Sequence, residues 1–367
     1  MQRVHGLSPI RVIDLFAGAG GLSQGFTQSS ERYQVAAAVE LDKAAAATWA
    51  ANHGHQIFWG SVDEWLDSDS VPSADVVVGG PPCQGFSMIG RRDPCDQRNS
   101  LWRSLIDTVL ASGAKAFVIE NVPAFLKSPQ FEALLNEVLQ GMLAGFRLSH
   151  AVLNAADFGV AQTRKRAFVV GVRRDLADVA IPRPTGQIRA TVRDAIGDVR
   201  PFAARRGLPS GRVRFEDEWL PGPFTTPNLH IGRDYSPLSR ARFRAVPYGG
   251  SRLDLPDHLS MDCWRQHPRS ATDSLGRLTW EKPAGTVRTE FFKPEKGRFL
   301  HPTQDRAMTH FEAARFQGFP DDYRFVGDLA DIARQIGNAV PPPLARAVAD
   351  CLLPVFGQVR TPIGGSE

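Results

Sequence analysis

Short apolar runs alternate with longer amphipathic stretches along the first half of the chain. The runs IRVIDLF (10–16), YQVAAAVE (33–40), ADVVVGG (74–80) and KAFVIENV (115–122) have the length and composition of buried strands. Helical patterns lie between them. A glycine-rich turn after Phe16 leads into a helix through Phe26. Asp42–Asn52 is alanine-rich, with an acid in its first turn. Ser100–Ser112 sets apolar residues at helical spacing behind a Ser N-cap, and PQFEALLNEVLQGML (129–143) repeats the pattern. This β-α-β-α rhythm predicts an α/β fold, with a doubly wound, mostly parallel sheet.

The rhythm stops after about Arg173. Residues 181–275 are rich in Pro, Gly and Arg with few periodic runs, which predicts a smaller, irregular or β-rich domain. Helical patterns return in THFEAARFQGF (309–319) and LARAVADCLLPVF (344–356), the latter entered through prolines. The expected divisions are a catalytic and cofactor-binding domain over 1–178, a small domain over 179–327, a return segment over 328–357 and a short tail over 358–367.

The chain has 367 residues and 43% hydrophobic content, enough for one large domain and one smaller. Cys83, Cys95, Cys263 and Cys351 are far apart and show no CxxC or Cys/His spacing. No zinc or other metal site and no disulfide framework is expected, which suits a reducing cytoplasm. The start of the chain lacks a signal-peptide pattern, and no apolar run approaches a membrane span, so a soluble cytoplasmic protein is expected. Net charge is only +4, but Arg164–Arg252 carries 18 Lys and Arg against 8 Asp and Glu. Such an excess attracts phosphate. A GC-rich genome would also produce it, since all but Lys165 of these cations are arginine.

GGPPCQGFS (79–87) puts Cys83 behind two prolines at the carboxyl end of a core strand, the edge where open α/β sheets bind ligands. A buried structural thiol is the other reading of a lone cysteine. In DLFAGAGGLSQGF (14–26), Gly18, Gly20 and Gly21 let the backbone approach a ligand at a helix mouth. The pattern is not GxGxxG and lacks a P-loop lysine. A nucleoside cofactor such as S-adenosylmethionine therefore fits better than a polyphosphate, the alternative being a turn that only packs a helix. Glu40 closes the second strand, where an acid grips ribose hydroxyls. Glu120, in ENV, ends another strand on the same edge. In an apolar setting its pKa would rise and it could donate a proton; a solvated loop acid is the alternative. In QTRKRAFVV (162–170), Gln162, Arg164 and Arg166 alternate and so share a face, as binders of phosphate or of an active-site carboxyl and base, or as a solvated basic turn. QIGNAVPPPLARAV (335–348) sets Asn338 in a turn before a helix entry.

DLFAGAGG, PPCQGFS, ENV, QTRKR, EAARFQGFPDDY and QIGNAVPP, in this order, make the chain resemble the C5-cytosine DNA methyltransferase family over nearly its whole length. PPCQGFS is the most specific of the six. The resemblance implies the Rossmann-like methyltransferase fold, duplex DNA as substrate and S-adenosylmethionine as methyl donor, leaving S-adenosylhomocysteine. Cytosine C5 is a poor nucleophile, and a thiolate added at C6 activates it. That step needs a nucleophile that also leaves, which suits Cys83. Glu120 would supply the proton at N3, with Arg164 and Arg166 holding the base or its carboxyl partner. The target base must be flipped out of the duplex. Residues 84–99, with Ser87, Arg91 and Arg92, would form the loop that closes over DNA.

By the same resemblance the cofactor pocket takes Phe16, Gly18, Gly20, Gly21, Glu40, Leu41, Pro82, Leu101 and Asn338. One departure matters. The family's Gly-Asp-hydrophobic turn reads Gly60-Ser61-Val62 here, with Asp63 two positions late. The adenine amine therefore falls to Asp63 through a shifted turn or to Ser61. The small domain would recognise the target sequence in the major groove, with Arg233, Arg240, Arg242, Arg244 and Arg252 as candidates, and Gln162 in the first domain is a further candidate for DNA. Most arginines on such a surface touch only phosphate or water. A monomer is expected, in a modification system that could include a cognate restriction endonuclease without a stable complex. An RNA methyltransferase of the same fold is the second reading. That branch carries a PPCQPF-type loop, and Gly85 favours DNA. A silent DNA-binding module is opposed by the intact Cys83, Glu120 and Arg164. A small-molecule methyltransferase would not need the basic excess.

Overall fold

The computed structural model describes residues 8–68, 71–82, 101–184, 186, 189–203 and 205–357. The expectations placed on Cys83, Ser87, Arg91, Arg92 and Cys95, and on Ser100 as a cap, lie outside the described residues.

Seven strands form one sheet in the order β3-β2-β1-β4-β5-β7-β6. They are β1 (Ile10–Leu15), β2 (Tyr33–Glu40), β3 (Ile57–Trp59), β4 (Val76–Gly79), β5 (Ala116–Asn121), β6 (Phe146–Asn154) and β7 (Lys165–Arg173). The first five pair in parallel, and β7 runs antiparallel to both β5 and β6. The run of three valines in β4 is explained by the two-sided cover. Val76 and Val78 face one core and Val77 the other, all three fully buried. Each contributes about 1.5–3 kcal/mol of burial. On one face α1 (Gly21–Ser29) packs against the C-terminal helix α11 (Pro342–Leu352). The other face carries α3 (Val62–Asp67), α4 (Leu101–Ser112) and α5 (Pro129–Gln140). Helix α2 (Lys43–His53) starts at Asp42, whose side chain caps the Ala45 amide. The antiparallel end of the sheet needs a glycine. Gly171 of β7 lies opposite Phe117, and a Cβ there would meet the Phe117 ring at 2.1 Å.

The second half is irregular rather than β-rich. Among the described residues its strands are the short hairpin β8 (Arg212–Phe215) and β9 (Glu218–Pro221), and the two-residue pair β10 (Phe224–Thr225) and β11 (Arg324–Phe325). Short helices α6 (Val192–Ile196), α7 (Pro237–Ala245) and α8 (Asp262–Gln266) stand among turns, followed by α9 (His310–Gln317) and α10 (Leu329–Asn338). The EAARFQGF helix contributes Phe311, Ala313, Ala314 and Phe316 to a core shared with Val192, Phe224, Phe291 and Ile336. Helix α10 belongs to this second core, and the chain rejoins the sheet core only from Val340.

Arginines supply much of the order that ladders supply elsewhere. Arg277 donates to the carbonyls of Phe243, Val246, His301 and Gln304 at 2.6–3.1 Å. Arg252 donates to those of His267, Pro268, Ser270 and Ala271. Arg298 donates to Gly249, Gly250 and Arg277 at 2.7–2.8 Å. A loop-rich interior leaves many carbonyls without partners, and five donors on one planar cation satisfy several at once.

Candidate active site

Strands β1, β2, β4 and β5 all end on one edge of the sheet, and the chemistry-bearing residues are at those ends. Beyond β1 the chain turns sharply. Phe16 sits at φ +54° and Gly18 at φ +54°, with Gly20 at φ +84° serving as N-cap of α1. A left-handed phenylalanine costs about 1–3 kcal/mol, and such strain collects at ligand sites. The glycines differ in role. A Cβ on Gly18 would meet nothing within 4 Å, so this backbone borders open space. A Cβ on Gly20 would strike His53 and Tyr323 at 2.8 Å, and one on Gly21 would strike the Val340 carbonyl at 2.2 Å. Gly20 and Gly21 are thus required by packing behind the turn, and Gly18 faces open space.

Glu40, at the end of β2, reaches across to this turn. Its carboxylate accepts from the Gly18 amide and the Asp42 amide, each at 2.7 Å. Burial pushes its pKa up. Leu41 beside it is 68% exposed, an apolar side chain open to solvent. Its carbonyl accepts from Trp59 Nε1 at 3.2 Å. Ser61 is spent as the N-cap of α3, its hydroxyl and amide both bonded to Glu64. Asp63 is exposed on the first turn of α3 and accepts from the Ser104 hydroxyl at 2.6 Å. Val62 is buried in the core between them. Leu101 and Pro82 are half-buried, and Asn338 is exposed at the last residue of α10.

Beneath the turn lies Asp14, which sequence reasoning did not single out. It is fully buried. One carboxylate oxygen accepts from the Ser23 hydroxyl at 2.6 Å and the Ser23 amide at 3.2 Å, and Trp49 donates to that hydroxyl at 3.0 Å. Its other oxygen has no hydrogen-bond partner among the described residues. Burial pushes its pKa up from 3.8 to about 7. Between these values the native chain holds a proton that the unfolded chain has released. Asp14 therefore makes stability fall as pH rises from about 4 to 7. Asp14→Asn is expected to remove that component, on the order of 4 kcal/mol at most. Parallel urea titrations of both proteins across this range measure it. Identical pH dependence in the two would refute the assignment.

Glu120, next to last in β5, is buried at 8% exposed, with Arg166 Nε 2.9 Å from its Oε1. Burial is the largest influence and raises its pKa, while Arg166 and Arg164 pull it back. Gly80 makes room for it, since a Cβ there would lie 2.9 Å from Glu120 Oε2. Next to it, Asn121 donates through Nδ2 to the Pro81 carbonyl at 3.0 Å and accepts the Val122 amide at 2.8 Å. Asn121 thereby pins the β4 exit beside the carboxyl group, one residue before Pro82 and two before Cys83. This buried amide is a residue the sequence reasoning passed over. Its signal was present, as a polar residue at the end of an otherwise apolar strand.

Arg164, expected to hold the base or its carboxyl partner, is 2% exposed, with Nη1 given to the Val287 carbonyl at 3.0 Å and Nη2 to that of Gly337 at 2.9 Å. Those nitrogens brace backbone, and Arg164 acts on Glu120 through its charge. Gln162, a candidate for DNA, is fully buried. Its amide donates to Phe316 and Gln317 and accepts from the Val287 amide. Arg252 is 5% exposed and committed to the carbonyls above, so it too is removed from the DNA-facing set. Arg242 is half-buried with Nε on the Leu259 carbonyl, Arg244 pairs with Asp305 at 3.5 Å, and Arg233 lies over the Phe292 ring. Arg233, Arg240 and Arg244 are exposed. A separate cavity of about 290 Å³, walled by Phe202, Arg233, Tyr235, Phe292, Met308 and Leu329 among others, is lined by none of Phe16, Gly18, Glu40 and Glu120 at the strand ends.

The chain matches the model of the C-5 cytosine-specific DNA methylase family over residues 10–353. It is 35% identical over 366 residues to the Type II methyltransferase M.XorII of Xanthomonas oryzae pv. oryzae, covering 92% of this chain and 82% of that one. It is 34% identical to M1.HphI of Haemophilus parahaemolyticus, covering 93% and 86%. In fold it is similar to a prophage-encoded DNA modification methyltransferase of E. coli, with a TM-score of 0.72, 23% identity and coverage of 95% and 100%. The chain therefore belongs to the C5-cytosine-specific DNA methylase family and is a DNA cytosine-5-methyltransferase.

Proposed function

We propose that this enzyme transfers a methyl group from S-adenosylmethionine to C5 of one cytosine in a short duplex DNA sequence, as the modification enzyme of a restriction-modification or stand-alone system. The observation that carries the reading is the juxtaposition of buried Glu120, paired with Arg166, and the Asn121-pinned exit of β4 that leads into Cys83. The glycine turn fits the cofactor. Gly18 borders open space, Glu40 offers a carboxylate for ribose hydroxyls, and Phe16 and Leu41 offer apolar surface for adenine. Asp63 is the better candidate for the adenine amine, because the Ser61 hydroxyl is already committed to its helix cap.

The target cytosine enters as an extrahelical base. The Cys83 thiolate forms a bond to C6 while Glu120 gives its proton to N3, so no negative charge accumulates on the ring. S-adenosylmethionine, when bound, supplies the electrophilic methyl group that C5 takes. Loss of the C5 proton to a base and departure of the Cys83 sulfur restore aromaticity, and Glu120 recovers its proton from N3. Arg166 fixes the carboxyl group in place, and burial keeps its proton available. The exposed Arg233, Arg240 and Arg244 supply cationic surface for DNA.

Bisulfite sequencing of DNA from a methylation-free bacterial host expressing the chain tests this reading. Protected cytosines confined to one short motif are expected. Their absence, with soluble protein present and protection found in the host RNA instead, would overturn duplex DNA as substrate.

A further inference from the structure

Tyr323 lies in the GFPDDY segment, between α9 and β11, and the chemistry above makes no use of it. Its side chain is 2% exposed, and burial pushes its phenol pKa up, so the hydroxyl remains a donor. That hydroxyl donates to the Ala19 carbonyl, inside the glycine turn. The same oxygen is 3.3 Å from His53 Nε2. Burial pushes the His53 pKa down to about 4, so the ring is neutral and serves as donor to the phenol. A Cβ on Gly20 would strike both groups, so the turn rests directly on this pair.

The main chain of Tyr323 faces the other way. Its carbonyl accepts the Thr226 amide and the Thr226 hydroxyl, each at 3.1 Å. That hydroxyl also donates to the Pro320 carbonyl at 2.8 Å. Thr226 is fully buried and follows β10, which pairs with β11 through Phe224–Phe325 and Thr225–Arg324. One residue thus bonds to the turn beneath the open face of Gly18 and to the segment that leads into the irregular second half.

We propose that Tyr323 is a positioning residue that sets the glycine turn for cofactor and couples occupancy of that turn to the Thr226 segment of the second half. The inference rests on the reading of the turn as the S-adenosylmethionine seat. A ligand that orders Ala19 and Gly20 strengthens the bond from the phenol, and the rigid ring transmits that order to the carbonyl held by Thr226. By linkage, whatever orders the Thr226 segment favours cofactor in return.

The test uses the full chain, S-adenosylhomocysteine as probe and the variant Tyr323→Phe, which keeps the ring and removes the hydroxyl with its bonds to the Ala19 carbonyl and to His53. Calorimetric titration is expected to show a dissociation constant raised about fivefold. With DNA substrate saturating, the KM for cofactor should rise by more than kcat falls, a split that general destabilisation does not produce. Hydrogen exchange supplies the second readout. S-adenosylhomocysteine should slow exchange at the Thr226 amide in the parent protein and not in Tyr323→Phe. An unchanged dissociation constant, or equal protection of Thr226 in both, overturns the proposal. If the parent protein fails to bind S-adenosylhomocysteine, the cofactor reading itself fails. Should Tyr323→Phe not fold, Thr226→Val tests the other end. It removes the hydroxyl tie and should reduce ligand-induced protection at residue 226, and full protection there overturns the coupling.

Discussion

Cys83→Ser abolishes methyl transfer, with a loss of at least about 10⁴-fold, while binding of DNA and cofactor persists. A hydroxyl at the same position is protonated at neutral pH and is a poorer leaving group than a thiol. The substitution changes one atom in a segment whose approach is fixed elsewhere. Two prolines stiffen the exit of β4, and Asn121 holds the Pro81 carbonyl at 3.0 Å. Transfer of labelled methyl groups to DNA measures turnover, and gel retardation measures binding. Turnover within tenfold of the parent would sink the thiolate mechanism. Loss of DNA binding together with turnover would show instead that the substitution had damaged the surface.

Glu120→Gln slows covalent addition by roughly 10²–10⁴-fold, because the amide has no acidic proton to give to N3. The carboxyl group is suited to that task by two opposed influences. Burial raises its pKa, and the guanidinium groups of Arg166 and Arg164 lower it, with burial the larger. The net direction has a kinetic consequence. The protonated acid is the active form, so rate falls as pH rises through the raised pKa of Glu120, and Glu120→Gln lacks that limb. Single-turnover rates across pH test both statements. A near-normal rate in the variant, or an unchanged alkaline limb, would remove Glu120 from the proton-transfer role.

The parallel core of the fold was readable because its signals are strong and local. Val76–Val78, the glycine turn and the alanine-rich α2 each specify one structure, and the structure has them at the expected positions. The strand β3 and helix α3 were not read, since three and six residues give too little periodicity to count. Strand β6 escaped for another reason. FRLSHAVLN mixes burial classes along its length, as an edge strand does, and only its pairing with β7 makes it regular. The site was legible where one residue type implies one chemistry, as with a cysteine after prolines or a glutamate closing a buried strand. It was misread where the residue type is ambiguous. Arginine serves phosphate and carbonyl equally well: in Arg252 the carbonyls won, while Arg164 gives both Nη to carbonyls and still lowers the Glu120 pKa through its charge. Those acceptors lie far away in sequence, at Val287 and Gly337 for Arg164, and no spacing rule reaches that far.

The guanidinium brackets of the second half have a consequence for how such an enzyme changes over generations. A main-chain carbonyl is the same acceptor whatever side chain its residue carries. Phe243, Val246, His301 and Gln304 are gripped by Arg277 through that group alone, as are His267, Pro268, Ser270 and Ala271 by Arg252. Substitution along these loops therefore leaves the brackets closed. A lineage can exchange exposed side chains there while a few inward-facing arginines keep the scaffold intact.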